Sequence, residues 1–137
     1  MASSMTPTRL FDTCVFIHHL RGKSSQASAL VREAVSGQSA VAFSILTDAE
    51  LWAGIQGKPQ DHSIRLMLSR MTRLPFTLEV ARRAGTLRKI YQSNSLKLPD
   101  AIIAATAEIH NLPLYTNNFK DFSPITTITV VPYALNP

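Results

Sequence analysis

Four carboxylate residues stand where predicted strands end or predicted helices begin. Asp12 ends the first strand, Glu50 follows the second, Asp100 lies in a first helical turn, and Asp121 lies in the polar stretch TNNFKDF. Each has an ordinary structural explanation: Asp12 as a helix N-cap, Glu50 in the capping box TDAE, Asp100 at a helix dipole and Asp121 as a turn residue. Four carboxylates on one rim would repel each other unless a cation neutralised them. Oxygen ligands without His or Cys favour Mg²⁺ or Mn²⁺, which can activate water and polarise a phosphoryl oxygen.

The elements that must position these acids alternate between short apolar strands and helices. Strands are predicted for TRLFD, SAVAFS, PLYT and TITVV, with TRLPFT as a short strand or an extended crossing. Gly57 and Pro59 are expected to end the helix ILTDAELWAGIQG, and the apolar helix DAIIAATAEIH is expected to be buried. Such alternation is typical of a parallel sheet covered on both faces. Sites in these sheets form beyond the carboxyl ends of the strands, so the acids should share one rim.

Composition limits the possible classes of protein. The 137 residues are enough for one compact domain, and we expect a single domain over 1–137 with a disordered or tag-derived segment at 1–7. We find no membrane span, no secretory signal and only one cysteine, so a cytoplasmic location is expected. The net charge is +5, and setting the four clustered acids aside leaves 14 basic and five acidic residues. An acidic metal pocket in basic surroundings is the electrostatic pattern expected of a nuclease.

Three stretches resemble the successive motifs of PIN-domain ribonucleases, and in particular the VapC toxins of toxin–antitoxin operons. They are LFDTCVFIHHL, ILTDAELWAG and LPDAIIAATAEIHNLPLYTNNFKDF. The resemblance extends from about Leu10 to Pro132. It implies an α/β fold, a PIN-like (Rossmann-like) three-layer sandwich with a central parallel sheet of four or five strands. It also implies a metal-dependent endoribonuclease, the toxin component of a type II toxin–antitoxin module, which hydrolyses RNA phosphodiesters with a metal-activated water.

The resemblance assigns roles to individual residues and implies partners. The implied catalytic acids are Asp12, Glu50, Asp100 and Asp121. Asp12 and Asp100 would bind Mg²⁺ or Mn²⁺ directly, and the other two acids would contribute directly or through water. The implied supporting polar residues are Thr13, Thr116 and Asn118, the last also a candidate substitute for the fourth acid. The implied partners are an RNA substrate, a small antitoxin of the VapB type, and a second toxin copy within a hetero-oligomer, with no membrane.

Other residues near the motifs carry weaker expectations. Lys120, beside the fourth acid, is a candidate for phosphate contact. The helix segment with Arg82 and Arg83 is a second candidate, for which a solvated face is the simpler explanation. The chain departs from the family pattern at Cys14 and His18, and we expect neither to touch the acids. We also expect Cys14 to be a buried thiol rather than a nucleophile paired with His18.

Two other functions stay open from the sequence. A non-catalytic RNA- or protein-binding domain with a degenerate site would hold RNA equally well without Mg²⁺. A Mg²⁺-dependent phosphatase would use similar chemistry, but its usual pair of Asp residues separated by one residue is absent, because Thr13 and Cys14 follow Asp12.

Overall fold

A computed structural model describes residues 6–55 and 57–137. The strands are β1 (Arg9–Phe11), β2 (Val41–Ser44), β3 (Thr72–Leu74), β4 (Leu114–Thr116) and β5 (Val130–Pro132). The helices are α1 (Thr13–Leu20), α2 (Ser25–Val35), α3 (Ile45–Ala53), α4 (Lys58–Leu68), α5 (Leu78–Ile90), α6 (Leu98–His110) and α7 (Phe119–Phe122). A short 3₁₀ turn, Gln92–Asn94, follows α5. The expected disordered or tag-derived segment falls mainly on residues 1–5, outside the described residues.

The five strands form one sheet in the order β3-β2-β1-β4-β5, and every neighbouring pair is parallel. The central strand is β1, where Leu10 lies opposite Ala42 on one side and Leu114 on the other. TRLPFT therefore contributes a true strand, β3. The predicted α/β fold with a parallel sheet is confirmed. Because all strands run in the same direction, their carboxyl ends lie along one edge.

Two hydrophobic cores lie on the two faces of this sheet. Successive residues of a strand point to opposite faces, so Leu10 packs with α5 and α6 whereas Phe11 packs with α1, α2 and α4. The middle of α6, residues 101–107, is buried throughout. This explains why its sequence is apolar on every side: it packs on the sheet with one face and against α5 with another. Helix, sheet and helix thus form three layers.

One predicted boundary and one ordinary structural explanation were wrong. Pro59 does not end the preceding helix but lies in the first turn of α4, which begins at Lys58. Proline is tolerated there because the first helical N–H groups have no partner within the helix. Asp121 is not a turn residue, since it belongs to the short helix α7. No helix within the described ranges is long and apolar enough to cross a membrane.

The buried position of Ile103 makes a stability prediction. Ile103 in α6 has 1% of its surface exposed, so Ile103→Ala should lower the free energy of unfolding by about 2–5 kcal/mol through lost burial and a residual cavity. Urea unfolding followed by circular dichroism measures this change. The matched control is Ile90→Ala in α5, where the side chain is 56% exposed and a change within about 0.5 kcal/mol is expected. Equal losses in the two variants would contradict the packing described for α6.

Candidate active site

Asp12 lies at the carboxyl end of the central strand and is buried. Its Oδ1 accepts a hydrogen bond from the Thr13 backbone N–H at 2.8 Å, so it is the N-cap of α1. Its Oδ2 accepts a hydrogen bond from the Thr116 hydroxyl at 2.8 Å. The N-cap interpretation of Asp12 is therefore confirmed for one oxygen, while the other oxygen faces the end of β4. Burial raises the pKa of Asp12, although these hydrogen bonds oppose the shift.

Asp100 lies in the first turn of α6, where the charges of the other three acids raise its pKa. Its pKa is raised to about 6, first by burial and then by the charges of Asp12, Asp121 and Glu50. A nearby cation, Lys97, opposes this shift. The structure thus brings the four sequence-predicted acids into one electrostatically coupled group at the carboxyl rim. Asp100 also lies at the N-terminal end of α6, where the helix dipole favours a carboxylate. A stabilising role at the helix start and a role as metal ligand are therefore compatible.

Glu50 does not form the expected capping box. Helix α3 begins at Ile45, where the Ser44 side chain accepts from the Leu46 backbone N–H at 3.1 Å, so Thr47 is already inside the helix. Glu50 instead accepts a hydrogen bond at Oε1 from the Thr13 hydroxyl at 2.7 Å. The sequence left the capping box open as an ordinary explanation, because a TDAE pattern looks the same whether it starts a helix or lies within one.

The segment TNNFKDF, which carries the fourth acid and is called here the fourth motif, is organised around Thr116. Its buried hydroxyl donates to Asp12 and accepts from the Asn118 backbone N–H at 3.0 Å. The Asn118 carbonyl oxygen in turn accepts from the Asp121 backbone N–H at 3.1 Å, which starts α7. Asn118 therefore shapes the turn that carries Asp121 through its main chain. Its role as a substitute for the fourth acid stays a prediction.

The expectation that Cys14 does not touch the acids was wrong. Its Sγ lies 3.4 Å from Asp12 Oδ2 and 3.5 Å from the Thr116 hydroxyl, and it accepts from the Asn117 backbone N–H at 3.4 Å. The side chain is half-buried rather than fully buried. Burial and the charge of Asp12 raise the pKa of Cys14 to about 11, so the group stays a protonated thiol at neutral pH. This environment does not suit a nucleophile, as the sequence analysis expected.

Tyr133 is a residue near the site that the sequence analysis missed. Its hydroxyl lies 2.6 Å from Nδ1 of His18, and the two rings pack edge to face. Its carbonyl oxygen accepts from the Asn117 side-chain amide at 3.1 Å. The C-terminal segment after β5 therefore braces the fourth motif, and His18 is used there rather than paired with Cys14. No local sequence pattern predicts this role of Tyr133, because 115 residues separate it from His18 and only the folded chain brings the two together.

The basic candidates lie at different distances from the acids. Lys120 is exposed in α7, beside Asp121. Arg83 is ion-paired with Glu108, its Nη2 lying 3.1 Å from Oε2. Glu108 lies eight residues beyond Asp100 in α6, about 12 Å along the helix axis at 1.5 Å per residue. Lys97, which the sequence analysis missed although it directly precedes LPD, acts on Asp100 itself.

Hard oxygen ligands dominate the rim, and this donor chemistry fits a divalent cation. Within 6–55 and 57–137, no three His, Cys, Asp or Glu side chains are arranged to hold a metal ion as they stand. Carboxylates held close together repel each other, which costs folding free energy. The fit rests instead on Asp12 and Asp100, whose pKa values are raised first by burial and also by neighbouring carboxylates. A cation at this rim would relieve that repulsion.

The parallel sheet, with four coupled acids at its carboxyl rim, places the chain in the α/β class of proteins. Residues 9–124 match the family described as PIN domain, so the chain belongs to the PIN-domain family. It is 36% identical over 115 residues to Ribonuclease VapC10 of Mycobacterium tuberculosis, with 82% of this chain and 84% of the relative covered. It is 30% identical over 116 residues to Ribonuclease VapC19 of the same organism, covering 83% and 91%.

Solved structures agree with this assignment. A chain from a toxin–antitoxin complex of Klebsiella pneumoniae superposes with a TM-score of 0.73 at 34% identity, covering 91% of this chain and 98% of the other. A chain of VapBC2 from Rickettsia felis, solved with a promoter DNA fragment, gives a TM-score of 0.76 at 22% identity and covers 92% and 98%. The second similarity concerns the fold alone. The resemblance inferred from the motifs is confirmed.

The raised pKa of Asp100 predicts an unusual pH dependence in the metal-free protein. Its pKa is about 6 in the folded state against an ordinary 3.8, so between these values the folded protein binds more protons than the unfolded chain. The contribution of Asp100 to stability therefore falls as pH rises through this window. In EDTA, Asp100→Asn should melt at a higher temperature than the parent at about pH 8, and this advantage should disappear below about pH 4.

Thermal melts across this pH range measure the difference. The control is Asp61→Asn, which removes a partly exposed acid paired with Arg65 at 2.8 Å in α4. The melting temperature of this variant relative to the parent should not increase with rising pH. A difference between Asp100→Asn and the parent that does not change with pH would contradict the coupling described for the four acids.

The environment of Cys14 predicts slow alkylation. With a pKa of about 11, the thiol is almost fully protonated at pH 8. Iodoacetamide should therefore modify the native protein at least about tenfold more slowly than the urea-unfolded chain, because the thiolate is the reactive form. Mass spectrometry follows the reaction without interference, since Cys14 is the one cysteine of the chain. Equal rates in the two states would show that the native thiol is neither shielded nor raised in pKa.

Proposed function

We propose that this protein is a metal-dependent endoribonuclease, the toxin component of a type II toxin–antitoxin module. The observation that carries the proposal is the coupling of four acids at the carboxyl rim, where burial and the charges of Asp12, Glu50 and Asp121 raise the pKa of Asp100 to about 6. The relatives named ribonucleases support RNA as the substrate. Ribonucleases of the VapC type generally depend on a divalent metal.

Asp12 and Asp100 are the proposed direct ligands of Mg²⁺ or Mn²⁺. Glu50 and Asp121 would complete the site directly or through water. When bound, such an ion polarises the phosphate and lowers the pKa of a water molecule. The remaining work falls to this chain's own residues: Thr116 and the Thr13 backbone hold the two oxygens of Asp12 in place. By family resemblance, the product keeps a 5′-phosphate and a 3′-hydroxyl.

Basic residues around the acids would hold the RNA backbone on either side of the cleaved bond. Lys120 and Lys97 are the first candidates, because Lys120 neighbours Asp121 and the charge of Lys97 reaches Asp100. Arg82, which is exposed, and Arg83, which is ion-paired with Glu108, are secondary candidates for a more distant part of the strand. Neutralising one phosphate contact should weaken binding of all RNA sequences alike.

The structural neighbours titled VapBC and toxin–antitoxin complexes support an antitoxin of the VapB type as the partner, within a hetero-oligomer. We further propose a toxin homodimer and a cytoplasmic location, where RNA and a co-expressed antitoxin would be met. A degenerate binding domain is disfavoured, because all four acids are present and coupled. A phosphatase is disfavoured by the family to which the chain belongs.

Cleavage of a mixed RNA pool tests the proposal. The parent should cut RNA with Mg²⁺ or Mn²⁺ and be inactive in EDTA. Asp12→Asn and Asp100→Asn should each lower the cleavage rate by at least about 100-fold, since a direct ligand orients both the ion and the phosphate. Gel analysis of end-labelled RNA measures the rates and the chemistry of the product ends.

The matched control for both variants is Asp61→Asn, which also replaces one carboxylate by an amide but lies in α4, outside the acidic group. It should cut RNA at the parental rate. Binding of RNA that is equally tight with and without metal, together with no cleavage of any RNA, would instead support the non-catalytic binding domain.

A further inference from the structure

Three polar side chains connect the interior of the domain to Glu50. Thr47 in α3 is fully buried, and Thr13 at the start of α1 is buried, whereas Glu50 is exposed. The Thr47 and Thr13 hydroxyl oxygens lie 2.8 Å apart. The Thr13 hydroxyl donates to Glu50 Oε1 at 2.7 Å. A surface carboxylate is thus tied, through one hydroxyl, to a second hydroxyl in the core.

The number of available protons decides which group donates and which accepts in these two hydrogen bonds. A threonine hydroxyl has one proton to donate, and an ionised carboxylate can only accept. The proton of Thr13 goes to Glu50, so the contact between the two hydroxyls requires Thr47 to donate and Thr13 to accept. With Glu50 ionised, no other arrangement satisfies both short contacts.

Thr13 also joins Glu50 to Asp12. Its backbone N–H donates to Asp12 Oδ1 at 2.8 Å, while its hydroxyl donates to Glu50. The backbone N–H is fixed by α1, but the hydroxyl can move with the side-chain rotamer of Thr13. The contact with Thr47 selects one rotamer. The relative position of these two acids therefore depends on Thr47, whose own hydroxyl contacts Thr13.

An exposed glutamate needs such support more than a buried aspartate does. Asp12 is held by burial and by hydrogen bonds to both oxygens, whereas Glu50 has a longer side chain and an exposed position. Free glutamate side chains populate many rotamers, and holding one of them costs conformational entropy. The hydroxyl of Thr13 holds Oε1, so Oε2 is the oxygen that remains for a cation or a water.

We propose that Thr47 is a positioning residue of the active site, which fixes the Thr13 hydroxyl and through it the carboxylate of Glu50. The proposal rests on the function proposed above, because it assigns Glu50 a place beside the metal. In the sequence, Thr47 reads as the first residue of a capping box. The structure removes that role, since Ser44 caps α3.

Three variants test this role. Thr47→Val removes the hydroxyl and keeps the branched shape, and Thr47→Ser keeps the hydroxyl. The matched control is Thr106→Val: Thr106 is also buried, and its hydroxyl donates within α6 to the Ile102 carbonyl oxygen at 2.7 Å, away from the acids. For each protein we would measure kcat and KM on an RNA that the parent cuts, the Mn²⁺ dissociation constant by calorimetry without RNA, and the melting temperature.

The hydrogen-bonded path from Thr47 through Thr13 to Glu50, called here the relay, predicts a specific pattern among these values. Thr47→Val should lower kcat and Mn²⁺ affinity by roughly tenfold, the lower end of the range for residues that orient metal ligands, with KM unchanged. Thr47→Ser should restore both values to within about twofold of the parent, and Thr106→Val should leave both unchanged. The proposal is overturned if Thr47→Val matches Thr106→Val in kcat and Mn²⁺ affinity, or if Thr47→Ser is as defective as Thr47→Val.

A double-mutant cycle separates the relay from a general packing effect. If Thr47 acts through Thr13, Thr47→Val should cost nothing further in kcat or Mn²⁺ affinity once Thr13 is replaced by Ala. An equal fold-loss in both backgrounds would overturn the relay. A parent that binds Mn²⁺ but cuts no RNA would count against the proposed function alone, because the Mn²⁺ affinities of the same variants still decide the relay. A parent that binds no Mn²⁺ would overturn both.

Discussion

The burial of Asp12 and Asp100, together with the repulsion among the carboxylates at the carboxyl rim, is the constraint on which the site depends. Asp12 is buried at the end of the central strand, and the charges of Asp12, Asp121 and Glu50 raise the pKa of Asp100. Holding such groups together without a cation costs folding free energy, which the rest of the domain must offset. The two hydrophobic cores and the buried helix α6 supply that stability. The acidic site thus lowers the stability of the fold locally, and the packing of the rest of the domain compensates for this loss.

Each acid is held by a different device, and the device matches its position. Asp12 is fixed by hydrogen bonds from the start of α1 and from the end of β4, and Asp100 is fixed by the buried helix α6. Asp121 is placed by a single helical turn that begins at the Asn118 carbonyl. Glu50, the exposed member, depends on the Thr13 hydroxyl. Sites whose ligands are individually oriented in this way bind metal more tightly than sites with free side chains.

The neighbourhood of Asp12 extends further than the acids themselves. Cys14 and Thr116 both approach Asp12 Oδ2, and Asn117 links this cluster to the carbonyl oxygen of Tyr133. Strands β1 and β4, the start of α1 and the C-terminal segment therefore meet at one carboxylate. A thiol in this position is a weak donor to Asp12 and stays protonated, so it adds an orienting contact without adding charge.

The sequence by itself determined the parallel sheet and the four acids. Alternating strands and helices favour a parallel sheet, and parallel strands end on one edge. Residues such as Asp12 and Glu50 could therefore be assigned to one rim from the order of the predicted elements. Only the tertiary structure decided which side chains orient them. Cys14 and Thr116 are 102 residues apart, Thr13 and Thr47 are 34 apart, and Lys97 reaches Asp100 through space. Local patterns record strand ends and helix turns, whereas these contacts arise only when separate elements pack. For the same reason, the sequence alone could not exclude TDAE as a cap.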